Sequence, residues 1–138
     1  MTEKELLIDT IEYYSKDTSR RCVSAKACFY SPRECNDHLK DGKEYTGDGC
    51  AIGRLFKPED RYRIDQTITN TYYADTTVEI LFEIDEILEF TPDWLQEMDI
   101  SFLVDLQCLH DAHSHWDSEG LTDEGHNFAE RMYKNYSL

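Results

Sequence analysis

Apolar residues recur at three- and four-residue intervals in four stretches of this chain, and that spacing commits it to helices. One face of an α-helix is lined by residues i, i+3, i+4 and i+7, whereas a half-buried strand alternates. In residues 2–17, Leu6, Leu7, Ile11 and Tyr14 keep the helical spacing, and Thr2 and Glu5 stand three apart ahead of them as a capping box. Residues 77–89 place Val78, Leu81, Phe82 and Leu88 on one stripe, with Ile84 beside it and Glu79, Glu83 and Glu86 opposite. Residues 100–116 are the most apolar helix, with Ile100, Leu103, Leu106, Cys108 and Leu109. Gly120 ends that region, and Thr122 caps a last helix over 123–136 that turns Phe128, Met132 and Tyr136 inward.

Between these stretches the punctuation is clear. Thr18-Ser-Arg-Arg21 breaks the first helix, Cys22 to Tyr30 has no helical period, and Cys28-Phe-Tyr30 is strand-like before Ser31-Pro32 stops it. Residues 33–48 read as a polar surface loop or loose hairpin. Asp48 and Gly49 form a turn, and Ala51, Ile52, Leu55 and Phe56 begin an apolar helical turn. Pro58 suits the first position of a second, short helix, and residues 66–76 read as a connecting loop or a short strand around Ile68. Thr91-Pro92 opens another short helix. With 138 residues and no long linker, the chain is expected to form one domain over 1–138. The expected fold is mainly α: a small helical bundle with at most a short β-hairpin in residues 22–50. Its core should include Phe82, Leu103, Leu106, Leu109 and Phe128.

The net charge of −15 is unevenly placed. Residues 1–74 carry 12 Lys/Arg against 13 Asp/Glu, while residues 75–138 carry 16 Asp/Glu against Arg131 and Lys134 alone. A field of that sign repels nucleic-acid phosphates and membrane surfaces and favours a basic partner or metal ions. Arg20 and Arg21 are too few to form a nucleic-acid patch against it. An acidic surface also serves plain solubility. No apolar run approaches the ~20 residues needed to cross a bilayer, and the start MTEKELLIDT has acids where a secretion signal needs bases. A cytoplasmic location without membrane contact is expected.

Cysteines fall at 22, 28, 35, 50 and 108, with no CxxC pair and spacings unlike a zinc ribbon or finger. A zinc site from Cys22, Cys28, Cys35 and Cys50 is the minor alternative to reduced, buried thiols. Cys50 follows Gly49 at an apparent helix start, where backbone N–H groups favour a thiolate, so Cys50 with His110 outlines a Cys–His hydrolase. Asp111 is not expected to orient His110, because neighbours on a helix point about 100° apart. The plainer expectation is that Gly49 and Gly53 permit a tight turn and close packing, with Cys50 buried and unreactive.

A second cluster runs His110-Asp111-Ala-His113-Ser-His115-Trp-Asp117. On one continuous helix Asp111 and His115 share a face, as do His110 and His113, and such pairs can clamp a divalent ion, with His126 or Asp117 completing the shell. Histidines near a helix C-terminus also have a structural use, since they interact well with the last carbonyls. His38 stands isolated in a polar loop. No P-loop, dinucleotide fingerprint or GxSxG elbow occurs, so no cofactor is expected.

Three pieces in order, Cys28-Phe-Tyr30, Gly49-Cys-Ala-Ile-Gly-Arg-Leu55 and Leu106-Gln-Cys-Leu-His-Asp111 with Trp116 after it, are joined by the ending Gly120-Leu-Thr122. Together they resemble a family of small proteins of bacteriophage genomes and prophages. The likeness covers nearly the whole chain; a longer insertion at 31–46 and Phe-Tyr after Cys28 depart from the pattern. It implies a phage origin, hence a host-cell cytoplasmic setting, and one small domain; it carries no activity and no catalytic residues. The reading that ranks first is a non-enzymatic accessory protein that binds a basic host protein through Glu79, Glu83 and Glu86, as an inhibitor or nucleic-acid mimic. The alternative is a small hydrolase using Cys50 or the His110–His115 cluster, and a third is a structural or oligomeric domain without a site.

Overall fold

The computed structural model describes residues 1–22, 30, 45, 47–71 and 78–138. It is mainly helical, with one short antiparallel hairpin among the described residues. Helix α1 (Glu3–Lys16) begins with the expected capping box: the Glu5 backbone N–H donates to Thr2 Oγ1 at 3.2 Å, and the Thr2 N–H donates to Glu5 Oε2 at 2.7 Å. Leu6, Leu7 and Tyr14 are fully buried. A 3-10 turn (Thr18–Arg20) then ends the segment, and the Asp17 carboxylate accepts from the Ser19 N–H at its start.

Helix α2 runs Pro58–Thr71, twice as far as the short helix expected from the sequence. Residues 66–71 look like a loop because they are polar and β-branched. Yet Ile64 and Ile68 stand four apart and are both buried, which is helical spacing. No glycine or proline stops the helix before Thr71.

The helix expected over 77–89 is broken. Val78–Leu81 forms α3 and Asp85–Leu88 forms α4, with Ile84 extended between them at φ −89° and ψ 108°. The reason lies in the spacing. Val78, Leu81, Ile84 and Ile87 are all buried, and they recur every three residues. On a continuous helix that spacing drifts by about 60° a step, spreading the four over about half the cylinder. Tighter links, such as the Ile84 N–H to Leu81 O at 3.3 Å and the Ile87 N–H to Ile84 O at 3.0 Å, turn all four inward. Helix α5 (Asp93–Gln96) follows Pro92.

Helix α6 (Ile100–Asp111) is the centre of the fold and turns Phe102, Leu103, Leu106, Leu109 and His110 into the core. It packs against α3 and against α7 (Asp123–Asn135), whose cap is Thr122 as expected. It stops five residues earlier than the sequence suggested. His113–His115 forms a 3-10 turn, and the chain doubles back as strands β1 (Trp116–Asp117) and β2 (Gly120–Leu121), with Trp116 opposite Leu121. The hairpin thus stands outside residues 22–50, of which most lie outside the described residues. Phe82 and Phe128 are half-buried against the core instead of inside it. Among the described residues no helix is long and apolar enough to cross a membrane.

Leu106 is fully buried at the middle of α6. Leu106→Ala should cost about 2–5 kcal/mol of stability, read as a lowered denaturant midpoint; an unchanged midpoint would show that α6 is not the central helix.

Candidate functional site

The sequence singled out two regions, the Cys50–His110 neighbourhood and the acidic C-terminal half. The first is assembled around the end of α6. The last carbonyls of a helix have no partner inside it. Here the Cys108 carbonyl accepts from the Ala112 N–H, while the Leu109 carbonyl accepts from Trp116 Nε1 at 2.8 Å and from His115 Nδ1 at 3.2 Å. Arg21 reaches across from the segment after α1 and donates to the His110 carbonyl through Nε at 2.9 Å and Nη2 at 2.6 Å. Its guanidinium also lies 5.6 Å from the centre of the Trp116 ring.

His110 is fully buried, against the edge of the Tyr14 ring at 4.8 Å. Contrary to expectation, Asp111 does orient it: His110 Nδ1 donates to Asp111 Oδ1 at 2.7 Å. The 100° rule fails because Asp111 is the last helical residue, where a side chain can fold back beside its neighbour. The same oxygen accepts from Gln107 Nε2 at 2.7 Å, and Gln107 Oε1 accepts from the Ile52 N–H at 3.3 Å. Gln107 therefore links the Cys50 loop to the His110–Asp111 pair. Burial holds the imidazole pKa below its ordinary value, with Arg21 and Arg54 acting in the same direction and Asp111 against it. His110 is thus neutral near pH 7. A general base must come within hydrogen-bonding reach of the proton it takes, and a fully buried ring offers a substrate no approach.

Cys50 is 1% exposed and receives the Gly53 N–H at 3.4 Å on its sulfur. It precedes a 3-10 turn of three residues, Gly53–Leu55, too short to carry much helix dipole. Gly49 has φ 100°, a left-handed conformation suited to glycine, and a Cβ on Gly53 would clash with the Tyr30 carbonyl oxygen. Tyr14 donates to the Gly49 carbonyl at 3.0 Å, while the Gly49 N–H donates to Tyr45 Oη at 2.9 Å. The loop is pinned from outside by Tyr13, which donates to Asp48 at 2.7 Å. Cys22 is disulfide-bonded, which corrects the expectation of reduced thiols throughout and takes Cys22 out of any four-cysteine zinc site. Cys50 and the exposed Cys108 are free.

The candidate metal clamp, a minor alternative to a structural role for these histidines, required residues 110–115 on one helix, and α6 ends at Asp111. His115 turns back onto the Leu109 carbonyl and packs 4.8 Å from the Phe128 ring, while His113 and His126 point to solvent. Among the described residues no three His, Cys, Asp or Glu side chains converge on a metal position. His38 lies outside the described residues.

In the acidic half, Glu79, Glu83 and Glu86 are all exposed, but the break between α3 and α4 takes them off a single helical face. Glu79 and Glu83 stand instead at the edge of a cleft of about 490 Å³, together with Phe82, Met98 and Ile100, over a floor of Leu95 and Leu103. Glu86 is not part of its lining. Among the described residues no Lys or Arg forms an ion pair with these three carboxylates. Sequence reasoning took Tyr14 only as a core residue and Arg21 only as too little charge for a nucleic-acid patch, and it passed over Gln107, whose one signal was its i,i+4 spacing to Asp111. Compared with protein-family models, curated proteins and solved structures, the chain matches none.

Two outcomes follow from the buried pair and the buried thiol. His110 has a lowered pKa in the fold, so the unfolded chain takes up its proton first as pH falls. Stability should therefore be full above the ordinary histidine pKa of about 6.5 and decline as pH drops below it. His110→Gln should flatten the melting temperature between pH 7.5 and 5.5, a window chosen from about one unit either side of that value; an unaltered slope would show that another group controls it. In native protein, iodoacetamide should label Cys108 and spare Cys50 until the chain unfolds; rapid labelling of Cys50 would point to a reactive thiol.

Proposed function

We propose that this chain is a non-enzymatic binding protein, an accessory protein of phage type, that takes a basic partner protein of the host cell on its acidic C-terminal half. The observation that carries the reading is the set of exposed carboxylates Glu79, Glu83 and Glu86, which have no basic partner among the described residues and lie within a stretch holding 16 acids and two bases. Displayed carboxylates of this kind can stand where nucleic-acid phosphates would sit on a basic groove, and they speed encounter with positive surfaces. They do little for the fold itself, because exposed charges without partners contribute little stability. A host-cell cytoplasmic setting belongs to the same proposal, and the disulfide at Cys22 weighs against it.

A second reading, a small Cys/His hydrolase, has one observation in its favour: the 2.7 Å contact that aligns His110 with Asp111. The burial of both Cys50 and His110 weighs on the other side.

Replacing Glu79, Glu83 and Glu86 together by Gln should leave the melting temperature unchanged or slightly raised. It should weaken capture of a basic partner, and the loss should shrink with salt, since screening shortens the reach of exposed charges to about 8 Å at physiological ionic strength. Capture from host lysate at low and high salt, wild type beside the variant, measures this; equal capture at low salt would remove the reading.

A further inference from the structure

The cleft beside α3 gives the acidic half a shape as well as a charge. From it we infer that the partner docks as a basic amphipathic helix, with its apolar face in the cleft and its Lys or Arg residues against Glu79 and Glu83. The inference rests on the binding role proposed above and names the site and the chemistry of what fills it.

Four features lead to that occupant. Ile100 is 38% exposed at the start of α6, one of few large apolar side chains so open to water among the described residues. It stands beside half-buried Met98 and Phe82, so the exposed apolar surface is continuous into the cleft. Methionine and aromatic side chains adapt to varied apolar partners, and grooves that receive amphipathic helices use them in this way. The polar groups of the cleft are few. Gln96 spends its amide on the Thr91 carbonyl at 3.0 Å, which leaves the carboxylates of Glu79 and Glu83 as the charged groups at the edge. With no basic partner among the described residues, their charge selects against an acidic or neutral ligand and for cations flanking an apolar stripe. A helix supplies both at i, i+3, i+4 and i+7 spacing.

The test uses the full chain and three labelled peptides of about 14 residues, roughly four helical turns. One is an amphipathic helix of Leu and Lys, the second has the same composition scrambled to destroy the stripe, and the third keeps the stripe with Gln in place of Lys. Binding is followed by fluorescence anisotropy at low and high salt, on wild type, Ile100→Asp, Met98→Ala and the Glu79→Gln/Glu83→Gln pair. Ile100 and both glutamates are exposed, so these variants should keep the wild-type melting temperature, checked alongside.

The expected result is that the amphipathic Lys peptide binds wild type at least about tenfold more tightly than either control. Ile100→Asp and the Gln pair should each remove most of that margin, Met98→Ala should reduce it, and high salt should weaken the two Lys-containing peptides and leave the Gln peptide unchanged. If the scrambled peptide binds equally and Ile100→Asp changes nothing, the cleft is overturned as the docking site while the acidic-face role stands. If the Gln peptide binds as tightly as the Lys peptide, the basic occupant is overturned. If no peptide binds at low salt, the cleft and the acidic-face role fail together.

Discussion

A helix that ends inside a protein must find partners for its last carbonyls, and the end of α6 is where this structure meets that demand. Trp116 and His115 supply donors for the Leu109 carbonyl, and Arg21 supplies two for His110. Each buried carbonyl left without a donor would cost about 1–3 kcal/mol, so the arrangement is restrictive. It obliges the chain to turn sharply after Asp111, brings β1 and β2 back alongside, and holds the segment after α1 against the far end of α6. Trp116 then packs on Tyr14 at 6.0 Å, and Tyr14 reaches the Gly49 carbonyl. The core and the Cys50 loop are thus tied to one helix end.

The His110–Asp111 pair belongs to the same system. A carboxylate that aligns an imidazole is a familiar catalytic arrangement, yet the same two groups serve equally to satisfy a buried ring nitrogen. Burial separates the two uses. His110 is enclosed by Tyr14 and the end of α6, and its neutral form suits that enclosure. Gln107 extends the pair to the Ile52 backbone, so the polar groups here form a chain that positions a loop. Such a chain makes the packing specific, because each member has directional partners that a purely apolar contact would lack.

The acidic half follows a different logic. Four buried residues at three-residue intervals force the break between α3 and α4, and that break sets Glu79 and Glu83 beside a cleft floored by Leu95 and Leu103. A continuous helix would have kept the three glutamates as a solvated stripe. The apolar demand of the core therefore decides where the charge is displayed, which couples packing to the surface proposed for binding.

By itself the sequence determined the helical class, the capped starts of α1 and α7, the proline at the head of α2, and the charge imbalance. These depend on residues within a few positions of one another: Thr2 with Glu5, Thr122 with its following amides, Pro58 with its fixed φ. It also pointed to burial of Cys50 through its apolar neighbours. Only the tertiary structure decided the end of α6, the hairpin that follows it, the break at Ile84 and the bonding of His110 to Asp111. No glycine or proline marks the stop at Asp111; the last carbonyls are capped by His115, Trp116 and Arg21, and Arg21 stands 89 residues away from the carbonyl it caps. Local propensity cannot register a donor that arrives from so far along the chain, and three-residue spacing reads as a helix until the core it must fill is known.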